Sequence, residues 1–256
     1  MGGYLTQLLA VADAELRKLR HEPWELASRA IQPVLWPLLF GNVMARVRGL
    51  APQAIPYLDF LAPGIPAQSV LFVAIFYGIS AIWERDLGVL HRYLVCPAPR
   101  SALVSGKALS SGARALSQAV FVYFCAAAMG AHLSLRPANV AAAILLIALG
   151  CALFLTFSLI IACIVRTRVR FMGIGQVLTM PLFFASNAIY PISIMPEWLK
   201  VVAHINPLTY EVDALRSLML VGGTSIYGLP FDFIVLIFSM TILVAIGAKL
   251  YPTVAR

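Results

Sequence analysis

The densest group of ionisable side chains in this sequence lies in residues 83–100, WERDLGVLHRYLVCPAPR, directly after an uncharged apolar run. The side chains that could do chemistry there are Glu84, Arg85, Asp86, His91, Arg92 and Arg100. Side chains of both charges can form ion pairs with a partner protein, or they can simply lie in a solvated loop. Leu87, Leu90 and Leu94 recur at i, i+3 and i+7, which predicts a helix with one apolar stripe and one charged face.

Elsewhere the sequence lacks the residue patterns of common catalytic sites. It contains no HExxH motif, no aspartate-rich pair and no GxSxG turn, and its four cysteines show no CxxC spacing. The dipeptide Gly106-Lys107 does not complete a phosphate-binding loop, because Ala108 follows it and Ser101 stands where that loop requires glycine. We therefore expect no catalytic residue, no metal site and no cofactor on this chain.

The composition indicates a membrane protein. The 256 residues are 61% hydrophobic and 12% charged, with a mean hydropathy of +0.88, whereas soluble domains are about half apolar and a quarter charged. A net charge of +8 would suggest nucleic-acid binding in a soluble protein. In a membrane protein it is better explained by Lys and Arg in cytoplasmic loops. We therefore expect the lipid bilayer, and no nucleic acid, as a partner.

Six segments are long and apolar enough to cross a bilayer, which takes about 20 residues in a helix. They are residues 28–47, 64–83, 115–133, 138–165, 171–192 and 231–248. The predicted fold class is therefore an all-α membrane protein with six transmembrane helices. We expect no acidic side chain buried at membrane depth, which weighs against an intramembrane enzyme and against an ion-coupled secondary carrier.

The distribution of basic residues predicts the orientation. If both termini lie inside, the inner loops and termini hold all but five of the 19 Lys and Arg residues. The five on the outer side are Arg46, Arg48, Arg136, Lys200 and Arg216. The positive-inside rule thus predicts cytoplasmic termini and a cytoplasmic 83–100 stretch.

Short amphipathic helices are predicted outside the spans. Residues 1–22 carry leucines at helical spacing beside a basic face, which suits an interfacial helix before a single six-span domain at 23–256. Between the fifth and sixth spans, Pro196 and Pro207 could each start a short helix outside the membrane, with Asn206 as the N-cap of the second.

Three stretches together resemble the membrane subunits of type-2 ABC exporters. Residues 84–100 resemble that family's E-R-x-x-G-T-L-E-x-L-x-x-T-P-x-x-R pattern, and residues 57–65, YLDFLAPGI, are similar to its Y-x-x-F-L-x-P-G start of the second span. Residues 184–222 match in the motifs MPxWL, NPxxY and LR. The chain departs from the first pattern at His91, where the family has Glu, and at Cys96, where it has Thr. The order and spacing of the motifs agree with six spans and cover nearly the whole chain.

The resemblance implies a coupling helix between the second and third spans, which would contact a cytosolic ATPase. That ATPase would be a separate subunit, present in two copies. ATP and Mg would be bound by that ATPase and not by this chain. The coupling residues would be Glu84, Arg85, Asp86, Gly88, Leu90, His91, Arg92, Pro97 and Arg100. Leucines at helical spacing and a terminating proline are compatible with this role.

The resemblance also implies a substrate path between two copies of the chain, lined by the second and fifth spans. Its candidate residues are Phe72, Phe183, Phe184, Asn187, Ala188 and Ile189, for which packing or lipid contact is the alternative. An extracytoplasmic lid would include Trp198, Asn206, Pro207, Tyr210 and Arg216.

By the same resemblance, the chain would be the permease subunit of an ATP-driven exporter in the plasma membrane, working as a homodimer on a hydrophobic or amphiphilic drug or lipid. Export of a polysaccharide or glycolipid is the alternative within the family. An ion-coupled secondary transporter is the alternative from another class.

Overall fold

The computed structural model describes residues 56–87, 132–165 and 167–250, together with residues 120, 123, 124 and 127. Eight α-helices have both ends within these residues. They are α1 (Tyr57–Leu61), α2 (Gly64–Tyr77), α3 (Ile79–Asp86), α4 (Pro137–Ile164), α5 (Arg168–Phe184), α6 (Glu197–Ile205), α7 (Pro207–Met219) and α8 (Leu229–Leu250). The helix predicted at 1–22, the first predicted span and most of the third lie outside the described residues.

The central element of the described bundle is α4, which packs against α2, α7 and α8. Its 28 residues carry no charged side chain, and at 1.5 Å per residue they span about 42 Å, enough to cross a bilayer. Pro137 occupies the first helical position, where its missing N–H removes no helical hydrogen bond. Leu146, Leu153 and Phe154 on this helix are fully buried in the main core.

Three helical stretches of the described part are long and apolar enough to cross a membrane: Tyr57–Tyr77, Pro137–Ile164 and Leu229–Leu250. The last two occupy the fourth and sixth predicted spans, and the first begins before the predicted second span. These residues contain helices and no β-strand, apart from an isolated bridge between Leu133 and Leu220. The helical fold class is thus confirmed for the described part, while the count of six spans stays a prediction.

Two helix ends differ from the predicted spans. The second span is interrupted at Gly78, where a Cβ atom would overlap Ser158 of α4. The fifth helix ends at Phe184 and does not reach residue 192. Ser186 explains this end, because its hydroxyl donates to the Phe183 carbonyl at 2.7 Å and accepts from the Ala188 N–H at 3.3 Å. Serine side chains compete in this way with the helical hydrogen bonds of the backbone.

The two short helices predicted after the fifth span are both present. In α7, Asn206 is the N-cap, and its side-chain oxygen accepts from the Leu208 N–H at 3.0 Å, as the sequence predicts. The helices differ strongly in burial. All of α7 except Pro207 and Ser217 is buried against its neighbours, whereas only Ala203 of α6 is buried. The structure therefore places α7 inside the bundle, together with the side chains of Glu211, Asp213 and Arg216.

Candidate functional site

Two of the three motif stretches, residues 57–65 and 184–222, meet at one end of the described bundle. The side chain of Tyr57, at the start of α1, donates to the Ile189 carbonyl at 3.2 Å. The first residue of α2, Gly64, approaches the same turn so closely that a Cβ atom would lie 2.7 Å from the carbonyl oxygen of Ala188. The start of the second span and the turn after α5 are therefore in direct backbone contact, and we call this junction, with Arg216 of α7, the outer clamp, after the side of the membrane on which the sequence predicts it.

Arg216 joins α7 to α1 and to the turn after α5. Its guanidinium donates to the Asn187 carbonyl at 2.7 Å and to the Phe60 carbonyl at 3.5 Å, and it lies 4.1 Å from the centre of the Phe60 ring. A second nitrogen is 3.8 Å from a carboxylate oxygen of Asp213. Burial lowers the pKa of Arg216 to about 10, against the opposing effect of Asp213, so the side chain is cationic at neutral pH.

Asn206 connects the end of α5 to the start of α7. Besides capping α7, its side-chain amide donates to the carbonyls of Leu182 at 2.7 Å and Ala185 at 3.2 Å. The last carbonyls of a helix lack intrahelical partners, and this amide supplies one. Asn206 was predicted only as a lid residue and helix cap, whereas the structure shows that one side chain fixes two helix ends.

Further polar contacts surround the outer clamp. One carboxylate oxygen of Asp213 accepts from the N–H groups of Ile226 at 2.7 Å and Tyr227 at 3.3 Å. The Ser225 hydroxyl lies 2.9 Å from the Asp213 carboxylate and 2.8 Å from that of Asp232. These bonds tie the loop before α8 to the buried face of α7. Burial, Tyr210 and the two aspartates raise the pKa of the Tyr227 phenol.

Buried acids correct one sequence-based expectation. Asp232 lies in the first turn of α8, within the sixth predicted span, and it is fully buried. The expectation that no acid is buried in the spans is therefore wrong at this residue. Glu211 and Asp213 on α7 are also fully buried. Both lie in the second of the two short helices that the sequence predicts outside the membrane, and its polar composition does not indicate their burial.

A fourth buried acid, Asp59, links the start of the second span to the segment before α4. Asp59 accepts from the backbone N–H of His132 at 2.9 Å, and the His132 ring lies 3.0 Å from the same carboxylate. The pair is separated by 73 positions in sequence. No pattern in the sequence pointed to it.

The predicted path residues fall into two groups. Phe183, Asn187 and Ala188 are buried within the single chain. Phe72 and Ile189 are half-buried and Phe184 is 37% exposed, and Phe72 stacks on Phe76 with ring centres 6.1 Å apart. Only the second group offers surface to a ligand in this conformation, and the role of all six in a path stays a prediction.

The predicted lid residues are also divided. Trp198 of α6 is 70% exposed, whereas Asn206, Tyr210 and Arg216 are buried. The Tyr210 hydroxyl donates to the His204 carbonyl at 2.7 Å, which holds α7 against the end of α6. Pro207 is the first residue of α7. Whether these residues form a lid stays a prediction.

The end of α3, where the 83–100 stretch begins, lies at the opposite end of α5 from the outer clamp. Arg168 at the start of α5 binds the Asp86 carboxylate at 2.8 and 3.0 Å, and its guanidinium stacks 3.7 Å from the centre of the Trp83 ring. The side chains of Glu84 and Arg85 are not among those described. The remaining predicted coupling residues, Gly88, Leu90, His91, Arg92, Pro97 and Arg100, lie outside the described residues.

Comparison with known proteins decides the family. The sequence profile of the ABC-2 type transporter family matches residues 6–220. This chain belongs to the ABC-2 type transporter family. The ycf38 transport permease of Cyanophora paradoxa is 28% identical over 84% of this chain and 74% of its own length. The daunorubicin resistance ABC transporter permease DrrB1 of Streptomyces coeruleorubidus is 26% identical over 78% of this chain and 70% of its own.

Nodulation protein J of Sinorhizobium fredii is a further relative, 27% identical over 70% of this chain and 66% of its own length. The resemblance to type-2 ABC exporter permeases is thereby confirmed. An ABC-2 permease is a membrane subunit and not itself an enzyme, and its family implies an ABC ATPase as the partner.

Proposed function

We propose that this ABC-2 permease exports a hydrophobic or amphiphilic molecule, using ATP hydrolysed on two copies of a separate cytosolic ATPase. The observation that carries the proposal is the position of the motifs. The motif that would meet the ATPase begins at the Asp86–Arg168 end of α3 and α5, and the outer clamp lies at the other end of α2 and α5. Helix α5, and α2 together with α3, thus connect the end that would contact the ATPase to the outer clamp, which would open and close the path.

The proposed path lies between two identical copies in the plasma membrane, with both termini in the cytoplasm. One face of α5 is available for this in the single chain, because Met172, Ile174 and Val177 are exposed there. Exposed apolar residues on a membrane helix suit helix packing or lipid contact. A second copy on this face would place the half-buried Phe72 and the exposed Phe184 near the path.

A drug or lipid is the proposed substrate class. The name of the DrrB1 relative supports a drug, and the apolar side chains of the predicted path suit an amphiphile. A polysaccharide or glycolipid is the other substrate class for this family. Transport assays with one amphiphilic drug, one lipid and one lipid-linked sugar would separate these possibilities.

Replacement of Glu84, Arg85 and Arg92 together by Ala tests the coupling assignment. We expect ATP-driven export to fall at least about tenfold, the equivalent of one lost charge-assisted contact, while the permease still folds. The measurement is export and ATPase activity of the co-purified complex in liposomes. The matched control replaces Glu197 and Lys200 by Ala, an exposed ion pair on α6, and should leave both activities unchanged. Coupled activity that survives the triple replacement would contradict the assignment.

A further inference from the structure

Among the buried acids of the described residues, Glu211 is the one that makes none of the polar contacts given above. It is fully buried on α7, and within the described part of the chain neither of its carboxyl oxygens has a hydrogen-bond partner. The carboxyl group lies against Gly150 of α4, where a Cβ atom would overlap it. A glycine in the middle of an apolar span therefore provides the space that this acid occupies.

We propose that Glu211 carries a proton while α7 packs on α4, and that this proton makes the packing of the two helices depend on pH. An ionised carboxylate removed from water costs several kcal/mol unless a cation or several donors compensate it. The neutral acid avoids most of that cost. Burial accordingly raises the pKa of the Glu211 carboxyl well above its ordinary value.

Within the described part of the chain, the charged and titratable groups on the elements around α7 do not supply a counter-ion to Glu211. They are Tyr57 and Asp59 on α1, Tyr77 on α2, Cys151 and Cys163 on α4, Asp232 and Lys249 on α8, Glu197, Lys200 and His204 on α6, Tyr123 before α4, Tyr227 before α8, and Tyr210, Asp213 and Arg216 on α7 itself. Lys200 pairs with Glu197 at 2.7 Å, and Lys249 lies at the far end of α8. Arg216 is bound by Asn187, Phe60 and Asp213.

The sign of the pH dependence follows from proton counting. The folded chain keeps the Glu211 proton at a pH where the unfolded chain has lost it, so the unfolded state binds fewer protons. Stability therefore falls as the pH rises from the ordinary pKa of a glutamate, about 4.3, towards the raised pKa of the buried acid. Movement of α7 away from Gly150 would release the proton in the same way.

The test compares the thermal midpoint of the full-length chain in detergent with that of Glu211→Gln, a mimic of the neutral acid, from pH 5 to pH 8. We expect similar midpoints at low pH and a gain for the variant that grows by roughly 3–5 °C per pH unit. The control Glu197→Gln removes an exposed acid and should show a constant difference. A difference between Glu211→Gln and the native chain that does not change with pH would overturn the proposal.

A second measurement does not depend on thermal unfolding. Infrared difference spectra between the native chain and Glu211→Gln at pH 7 should contain the C=O band of a protonated carboxylic acid, which ionised carboxylates lack. Glu211→Met serves the same comparison if the Gln variant does not accumulate. Absence of that band at pH 7 would show an ionised Glu211 and would also overturn the proposal. Neither measurement requires that the chain transports anything, so the proposal stands or falls separately from the proposed function.

Discussion

Replacement of Arg216 by Met is expected to destabilise the permease by about 3–5 kcal/mol, because it removes one partner of a buried ion pair and leaves the other. Arg216 is 5% exposed and holds three segments: Asn187 after α5, Phe60 in α1, and Asp213 on its own helix. Methionine fills much of the same space. The loss should therefore come from the missing charge and hydrogen bonds rather than from a cavity.

The measurement is the thermal midpoint in detergent, which should fall by roughly 6–20 °C for this loss in a chain of this size. Arg216→Lys keeps the positive charge but loses the planar guanidinium, in which one nitrogen donates to both carbonyls and a second faces Asp213. We therefore expect a thermal midpoint between those of the native chain and Arg216→Met. The double variant Arg216→Met with Asp213→Asn should lose less than the sum of the single variants, since the pair is coupled.

Lys200→Ala is the control for Arg216, because Lys200 forms an exposed ion pair with Glu197 three residues earlier. Exposed pairs contribute about 0–1 kcal/mol, so its midpoint should stay close to that of the native chain. If Arg216→Met were as stable as Lys200→Ala, the outer clamp would not hold the three segments together.

The second large effect is expected at Gly64, where alanine would force the second span away from the turn after α5. Its Cβ atom would lie 2.7 Å from the Ala188 carbonyl oxygen and 3.1 Å from the Ala188 Cα. The contacted oxygen and Cα are backbone atoms, so no rotamer change relieves the overlap. Overpacking of this kind costs about 1–3 kcal/mol, measured as a lower thermal midpoint.

The same substitution at Gly173 provides a control of the opposite sign. Gly173 lies inside α5, and no heavy atom of the described residues would come within 4 Å of a Cβ there. Alanine is a better helix former than glycine by about 1 kcal/mol, so Gly173→Ala should be neutral or stabilising. An equal loss at both positions would contradict the contact at Gly64, because the same change would then cost stability at a site without that contact.

Much of the fold could be predicted because hydropathy and helix signals are local. The length of α4 follows from a run without charged side chains, and most of α8 follows from the uncharged run between Asp232 and Lys249. The start of α7 follows from Asn206 followed by proline. The end of α5 was missed because Ser186 stops a helix in an apolar segment through its own hydroxyl. A hydropathy average does not register that single hydrogen bond.

The site was predictable only as a set of motifs. The motifs indicate Asn187, Asn206 and Arg216 separately, but the convergence of these residues on α1 and the turn after α5 depends on packing between distant parts of the chain. The burial of Glu211 and Asp232 depends on the same packing. The local sequence does not reveal this burial, because the helices that cover the two acids are far away in sequence.

These buried acids give the ion-coupled alternative a feature that the sequence analysis did not expect, so the energy source needs a direct test. The measurement is uptake of the drug or lipid that the transport assays identify, into liposomes in which the permease carries its ATPase on the outer surface. We expect uptake to require ATP hydrolysis and to persist when an ionophore dissipates the proton gradient. Uptake that stops with the proton gradient while ATP hydrolysis continues would contradict an ATP-driven exporter.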